Sequence, residues 1–222
     1  MTARRALRLA HRGDWRAAPE NTLAAMRAAL AIAGCDGLEL DVRASREGVP
    51  ILLHDETLDR VQGRDGRPGE LSLDELAAAG IPTLADVLAT AGPGPFLDVE
   101  LKGEPVPAVV GVLEAARGAR LERAVISSFE AATLAWLGGV RPAWPRWLNA
   151  EDLAPATLRA ARDLGCRGVA ADWRAIDGPG AERAAAAGLE VAAWTVRRRA
   201  TATRLERLGV VAICVEAAAL DG

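Results

Sequence analysis

No apolar run in this chain of 222 residues approaches the ~18 that a membrane-spanning helix needs, so no stable membrane insertion is expected. Charge of one sign is also missing. Basic side chains number 27 and acidic ones 30, and the net of -3 gives no whole-protein field for nucleic acid or an anionic membrane. Cysteine is sparse and unpatterned. Cys35, Cys166 and Cys214 are an odd number, widely spaced, with neither a disulfide framework nor zinc-ligand spacing. They read as small core residues in a reducing compartment. Met1 to Ala10 is too short and too basic for a signal peptide, so the expected location is the cytoplasm. The first apolar run is followed by no G-x-G-x-x-G, which argues against a dinucleotide-binding open sheet. Ser127 and Ser128 lie in no G-x-S-x-G elbow and have no neighbouring base, which argues against a serine hydrolase. Lysine occurs once, at Lys102, and histidine twice, at His11 and His54.

Half of the residues are hydrophobic, enough for one sizeable core. Their period switches repeatedly between 2 and 3.6, the pattern of β/α units around a parallel sheet. Strands are expected at 6–10, 37–42, 96–102, 124–129, 146–149, 168–173, 190–196 and 210–215. Helices follow seven of them. The first is capped by Asn21 or Thr22, and a capping box opens another at Ser72-Leu73-Asp74-Glu75. Residues 49–53 form a further apolar run. The gap separating it from the second strand is too short for a helical crossover, so it reads as the return arm of a hairpin. Eight strands in this length predict a single-domain (β/α)₈ TIM barrel over residues 1–222.

The second strand, Gly37-Leu38-Glu39-Leu40-Asp41-Val42, carries the sharpest signal. Its acids project to one side, about 7 Å apart at ~3.3 Å rise per residue. Two carboxylates on an apolar strand are costly without a positive partner. Barrel active sites lie at the C-terminal strand ends. Those ends carry His11 and Arg12, Glu39 and Asp41, His54 and Asp55, and Glu100 and Lys102. Glu39, Asp41 and Glu100 offer hard oxygen donors that suit Mg²⁺ or Ca²⁺ better than zinc. The alternative is an ion-pair network with Arg12, Arg43 and Lys102. Arg12 and Lys102 flanking a cation would form a phosphate pocket, with helix N-terminal donors at Asn21-Thr22 as an addition. Two histidines facing one substrate can take and give a proton. Trp194 reads as a core residue or as a wall for a glycerol-like group. Asn149 and Asp172 are candidate substrate contacts or loop caps, and Arg197-Arg198-Arg199 reads as solvated surface.

Several short motifs carry a resemblance. His11-Arg12-Gly13, Pro19-Glu20-Asn21-Thr22, Glu39-Leu40-Asp41-Val42, His54-Asp55, Pro82-Thr83-Leu84, Val99-Glu100-Leu101-Lys102, Ser127-Ser128-Phe129 and Trp194-Thr195-Val196 follow one another in this order. The sequence resembles the glycerophosphodiester phosphodiesterases. The resemblance implies a TIM barrel with a small insertion after strand two, about residues 43–80. It implies a divalent cation, Mg²⁺ or Ca²⁺, on Glu39, Asp41 and Glu100. His11 and His54 would be the acid/base pair, with Arg12 and Lys102 as phosphate contacts. The implied reaction converts a small glycerophosphodiester to glycerol 3-phosphate and an alcohol. Alternatives are a lysophospholipase D-type reaction on the same site, a sugar-phosphate isomerase or aldolase resting on Lys102, and a non-catalytic phosphate-binding barrel. By analogy with phosphoinositide-specific phospholipases, His11 would be the base and His54 the acid. Two positions depart from the family pattern. The last strand ends in Val215-Glu216-Ala217 where Thr-Asp before Pro is usual, and Arg197 stands where Asn is usual. Both are expected at the rim, bearing on the leaving group more than on the chemistry.

Overall fold

A computed structural model describes residues 5–221. Its strands are β1 (Leu7–His11), β2 (Gly37–Ala44), β3 (Pro50–Leu52), β4 (Phe96–Leu101), β5 (Ala124–Ser128), β6 (Arg146–Ala150), β7 (Gly168–Asp172), β8 (Glu190–Val196) and β9 (Ala212–Val215). All but β3 run parallel in one ring, which closes where β1 pairs with both β2 and β9. The helices are α1 (Leu23–Leu30), α2 (Asp59–Gln62), α3 (Leu73–Ala78), α4 (Leu84–Ala91), α5 (Ala108–Arg117), α6 (Ala131–Val140), α7 (Pro155–Asp163), α8 (Gly178–Ala186) and α9 (Arg199–Arg207). This is the expected (β/α)₈ barrel. The expected hairpin arm is β3, antiparallel to the end of β2 with Val42 opposite Leu52, outside the ring. No described helix is long and apolar enough to cross a membrane.

The strand period sorts side chains between two cores. Leu38, Leu40 and Val42 of β2 and Leu97, Val99 and Leu101 of β4 point outward and are buried beneath the helices with Met26, Val87 and Leu113. Leu9, Val125, Trp147, Ala170, Ala192 and Ala212 point inward and fill the lower barrel. Truncating such a leucine to alanine costs about 2–5 kcal/mol. Between β2 and α4 the chain packs its own small core of Ile51, Leu53, Leu58, Leu76 and Ile81. Capping boxes hold the helices that follow: Ser72 and Glu75 start α3, and Thr83 and Asp86 start α4.

Gly37 opens β2 where it meets β4. A Cβ there would overlap the carbonyl of Phe96, so neither strand can keep its place if one is added. Gly37→Ala is expected to cost more than about 3 kcal/mol of unfolding free energy, read from urea denaturation. A loss under about 1 kcal/mol would mean that the β2–β4 register adjusts freely.

Candidate active site

The register brings the acids together. Glu39 of β2 lies opposite Asp98 of β4, and Asp41 lies opposite Glu100. His11 of β1 lies opposite Glu39, and Ser127 of β5 opposite Glu100. Inward residues on adjacent strands are neighbours, because strands lie ~4.8 Å apart. All four carboxylates are buried, Asp41 completely. Glu39, Asp41 and Glu100 bring one oxygen each to within 4.8 Å of one another. Glu39 and Glu100, with Asp98, line a cavity of about 250 Å³ at the barrel mouth, which His11, Arg12, His54, Lys102 and Trp194 also line, and Asp41 lies buried behind its wall.

The charges in this cavity do not balance. Arg12 Nε is 2.9 Å from Asp41 Oδ2, and Lys102 Nζ is 2.7 Å from Glu100 and 3.4 Å from Asp41. Two fixed cations thus face four acids. Burial pushes the Glu39 carboxyl well above its usual range, and the charges of Asp41 and Glu100 push it further. Both of its oxygens are buried with no hydrogen-bond partner. Asp98 is raised to about 7, mainly by burial. Burial raises Asp41 too, but Arg12 and Lys102 outweigh it and hold that group below its usual value. Orphaned carboxylate oxygens in a converging set of hard donors fit a divalent cation of the Mg²⁺ or Ca²⁺ kind. The alternative ion-pair network is half present. Arg12 and Lys102 take part, whereas Arg43 turns away and donates to the His54 carbonyl from Nε (3.1 Å) and a terminal nitrogen (2.9 Å).

Two left-handed residues form the floor of the site. Arg12 has φ 59° and Asn21 φ 56°, a region costly for most side chains but tolerated by Asn. The Asn21 N–H donates to the Arg12 carbonyl, and its side-chain amide donates to Asp41 Oδ2 at 2.9 Å. Of the two expected helix caps, Thr22 is the cap and Asn21 belongs to the acid cluster. The Thr22 hydroxyl accepts the Ala25 N–H of the first turn. Gly13, at φ +84°, lets the loop pass α1, since a Cβ would sit 2.7 Å from the Ala25 backbone. Glu20 accepts from Arg12 at 3.0 Å and from both terminal nitrogens of Arg60 on α2. Arg60 Nε donates to Asp55 at 2.6 Å.

Each histidine is held by a carboxylate at Nδ1. His11 Nδ1 is 2.6 Å from Glu216 Oε1, and His54 Nδ1 is 2.7 Å from Asp55 Oδ1. Despite burial, Glu216 and Asp55 are each held at about 2, chiefly by hydrogen bonds from His11 and Arg197 to the first and from Arg60 and His54 to the second. An ionised carboxylate only accepts, so Nδ1 carries the proton and Nε2 is left for the cavity. His11 Nε2 stands 3.8 Å from Glu39. Burial pulls His54 below its ordinary value, with Asp41 and Asp55 partly offsetting the effect. Trp194 gives its indole N–H to the Ala170 carbonyl and packs edge-on against Phe129. Of the weaker candidates, Asn149 and Ser127 line the cavity. Asp172 instead pairs with Arg174, and Ser128 donates to the Leu101 carbonyl.

Residues 11–220 match the model of the glycerophosphoryl diester phosphodiesterase family. The chain belongs to this family. It is 37% identical over 108 residues to a glycerophosphodiester phosphodiesterase of Caldanaerobacter subterraneus, a stretch covering 42% of this chain and 44% of that protein. It is 47% identical over 68 residues to glycerophosphodiester phosphodiesterase 1 of Rattus norvegicus, which covers 31% of this chain and 20% of that protein. The matched stretches thus span less than half of either relative. Among solved structures, an Oleispira antarctica phosphodiesterase in complex with the product sn-glycerol-3-phosphate superposes with a TM-score of 0.84. It is 27% identical, and the alignment covers 94% of this chain and 92% of that one.

The two departures from the family pattern stand at the ends of β8 and β9. They meet each other: Arg197 Nε donates to Glu216 Oε2 at 2.6 Å while Glu216 holds His11. Arg197, read as solvated surface, is 71% exposed along its side chain yet anchors a buried carboxylate. Asp98 went unmarked in the sequence although its alternation with Glu100 is the same signal that exposed Glu39 and Asp41.

The carboxyl of Glu216 is ordinarily near 4.5 and is lowered to about 2 in the fold. It thus adds stability above about pH 4.5, and that contribution is lost as pH falls toward 2. Glu216→Gln is expected to lower the urea midpoint at pH ~6, with the deficit shrinking toward pH ~3. A deficit constant over that range would show that the carboxylate charge contributes nothing.

Proposed function

We propose that this chain hydrolyses glycerophosphodiesters to glycerol 3-phosphate and an alcohol with the help of a divalent cation. The observation that carries this reading is the convergence of three buried carboxylates, two fixed cations and both histidines on one cavity. Glu39, Asp41 and Glu100 would hold the cation, Mg²⁺ or Ca²⁺, and the cation when bound would offset negative charge that builds on the phosphoryl oxygens. Arg12 and Lys102 would bind the same oxygens, a guanidinium fork and a point charge. His11 would take the proton of the attacking water, or of the substrate's glycerol hydroxyl, at Nε2, with Glu216 compensating the charge that develops on the ring. His54, in the form protonated at both ring nitrogens, would give its Nε2 proton to the departing alkoxide as the phosphorus–oxygen bond to the headgroup breaks. Where the glycerol hydroxyl attacks, a cyclic phosphate would form first and a water would then open it to glycerol 3-phosphate. Trp194 would form one wall of the glycerol site. The Oleispira enzyme, bound to sn-glycerol-3-phosphate, supports the choice of product. The three free cysteines support a reducing compartment, the cytoplasm.

The carbonyl-chemistry alternative finds little support. Burial works against the charge on Lys102, but Asp41 and Glu100 outweigh it and keep the ammonium protonated. A charged ammonium does not form a Schiff base, and it suits a phosphate contact.

The test is release of glycerol 3-phosphate from glycerophosphocholine, with and without chelator. Release that stops with chelator and returns with Mg²⁺ or Ca²⁺ is expected. No release at any divalent ion would sink the proposal. His54→Ala is expected to lower kcat by about 10²–10⁴-fold, and a variant that keeps the full rate would remove His54 from the mechanism. Glu39→Gln is expected to weaken metal binding in calorimetry on the protein alone. Unchanged affinity would refute the ligand assignment.

A further inference from the structure

A second cavity opens beside the first. It has a volume of about 490 Å³, is lined by Trp173, Arg174, Arg197, Arg198 and Thr201, and shares Trp194 and Thr195 with the inner cavity. On the reading above, one cavity takes the glycerol phosphate and the other the alcohol that leaves. The inner one, about 250 Å³ with Asp98, Ser127 and Asn149 on its walls, matches a small triol that needs hydrogen-bond partners. The outer one is the larger, and its chemistry differs.

Its charge is positive. Three guanidinium groups line it, and no carboxylate does. The acids that pair with two of them, Asp172 at 3.1 Å from Arg174 and Glu216 at 2.6 Å from Arg197, lie behind the lining. Arg198 sits exposed at the start of α9, whose N-terminal end adds positive character. Planar guanidinium forks match carboxylate and phosphate oxygens.

Its Trp173 ring is not free for a cation. Recognition of a quaternary ammonium such as choline needs open ring faces. The ring of Trp173 has Arg174 at 4.8 Å and Arg204 at 5.9 Å. The other ring, Trp194, packs edge-on against Phe129 of the inner cavity, 5.6 Å between centroids. Protein guanidinium groups thus already lie over the Trp173 ring that a cationic headgroup would need.

We propose that the outer cavity is the leaving-group subsite and that it selects an alcohol bearing its own negative charge, on phosphate or carboxylate, over a cationic one. Arg174 and Arg198 form the selective wall. Arg197 joins that wall to Glu216 and so to His11.

The test compares kcat/KM of the full chain for glycerophosphocholine, glycerophosphoglycerol and glycerophosphoinositol 4-phosphate, by glycerol 3-phosphate release. The expected order is anionic over neutral over cationic. The anionic substrate should lead the cationic one by about fivefold at low salt, as a few exposed charge contacts provide. The ratio should fall as salt shortens the screening length to ~10 Å and below. Arg198→Glu should collapse or invert the ratio, and Arg174→Gln, which introduces no new charge, should reduce it. A ratio at or below one in the wild type, or one untouched by both substitutions, overturns the inference and leaves the hydrolase reading standing. No product from any of the three substrates overturns both.

Discussion

Four buried carboxylates on two adjacent strands cluster at the barrel mouth with only two fixed cations, and the rest of the site is arranged around that imbalance. Removing a carboxylate from water costs several kcal/mol even after relaxation. The β2–β4 register puts Glu39 beside Asp98 and Asp41 beside Glu100, so the cost is multiplied by repulsion. Arg12 and Lys102 lower Asp41 but cannot serve all four groups, and Glu39 is left without a partner. The barrel tolerates this because its outer core is large and apolar. A site of this kind is stored instability, offset elsewhere in the fold, and a bound cation would relieve it.

Much of this was legible in the sequence, for a simple reason. Strand alternation is local: Leu38, Leu40 and Val42 against Glu39 and Asp41 define an apolar and an acidic face within six residues. The hairpin arm at β3 was also readable, because loop length alone excluded a crossover. The contact between Glu216 and His11 depends on closure of the ring. Glu216 is 205 residues from His11, and only the pairing of β9 with β1 makes them neighbours. Arg197 was read with the two arginines after it, yet it lies beyond the end of β8 and before α9 begins, where the chain still follows the barrel rim. Asn21 was one of two plausible caps. Its left-handed backbone, which turns its amide to Asp41, has no signature separate from the capping preference of the same residue type.

The departures from the family pattern illustrate how substitutions in a ring of contacts compensate. A Glu at the end of β9 is longer than the usual Asp, and an Arg at the end of β8 is longer and charged where Asn is usual. Together they form one arm that reaches His11 from the rim. Either residue alone would leave a carboxylate half-buried beside an imidazole, or a guanidinium without its partner. The pair also separates two tasks in space. Arg12 and Lys102 stand at the ends of β1 and β4, and the second cavity is lined from β7, β8 and α9.

Arg60 gives the segment between β3 and α3 a meaning beyond decoration. One guanidinium on the short helix α2 grips the carboxylate that steadies Arg12 and the carboxylate that steadies His54. Loops inserted in barrels are commonly treated as interchangeable parts, grafted from one scaffold to another to change substrate range. Here the graft would cut a wire. A transplanted insertion without an arginine at that position would leave Glu20 with Arg12 alone and Asp55 with His54 alone, and the two would no longer be joined. The portable unit in this barrel is the insertion together with both carboxylates it bridges, so Glu20, on the loop between β1 and α1, has to travel with it.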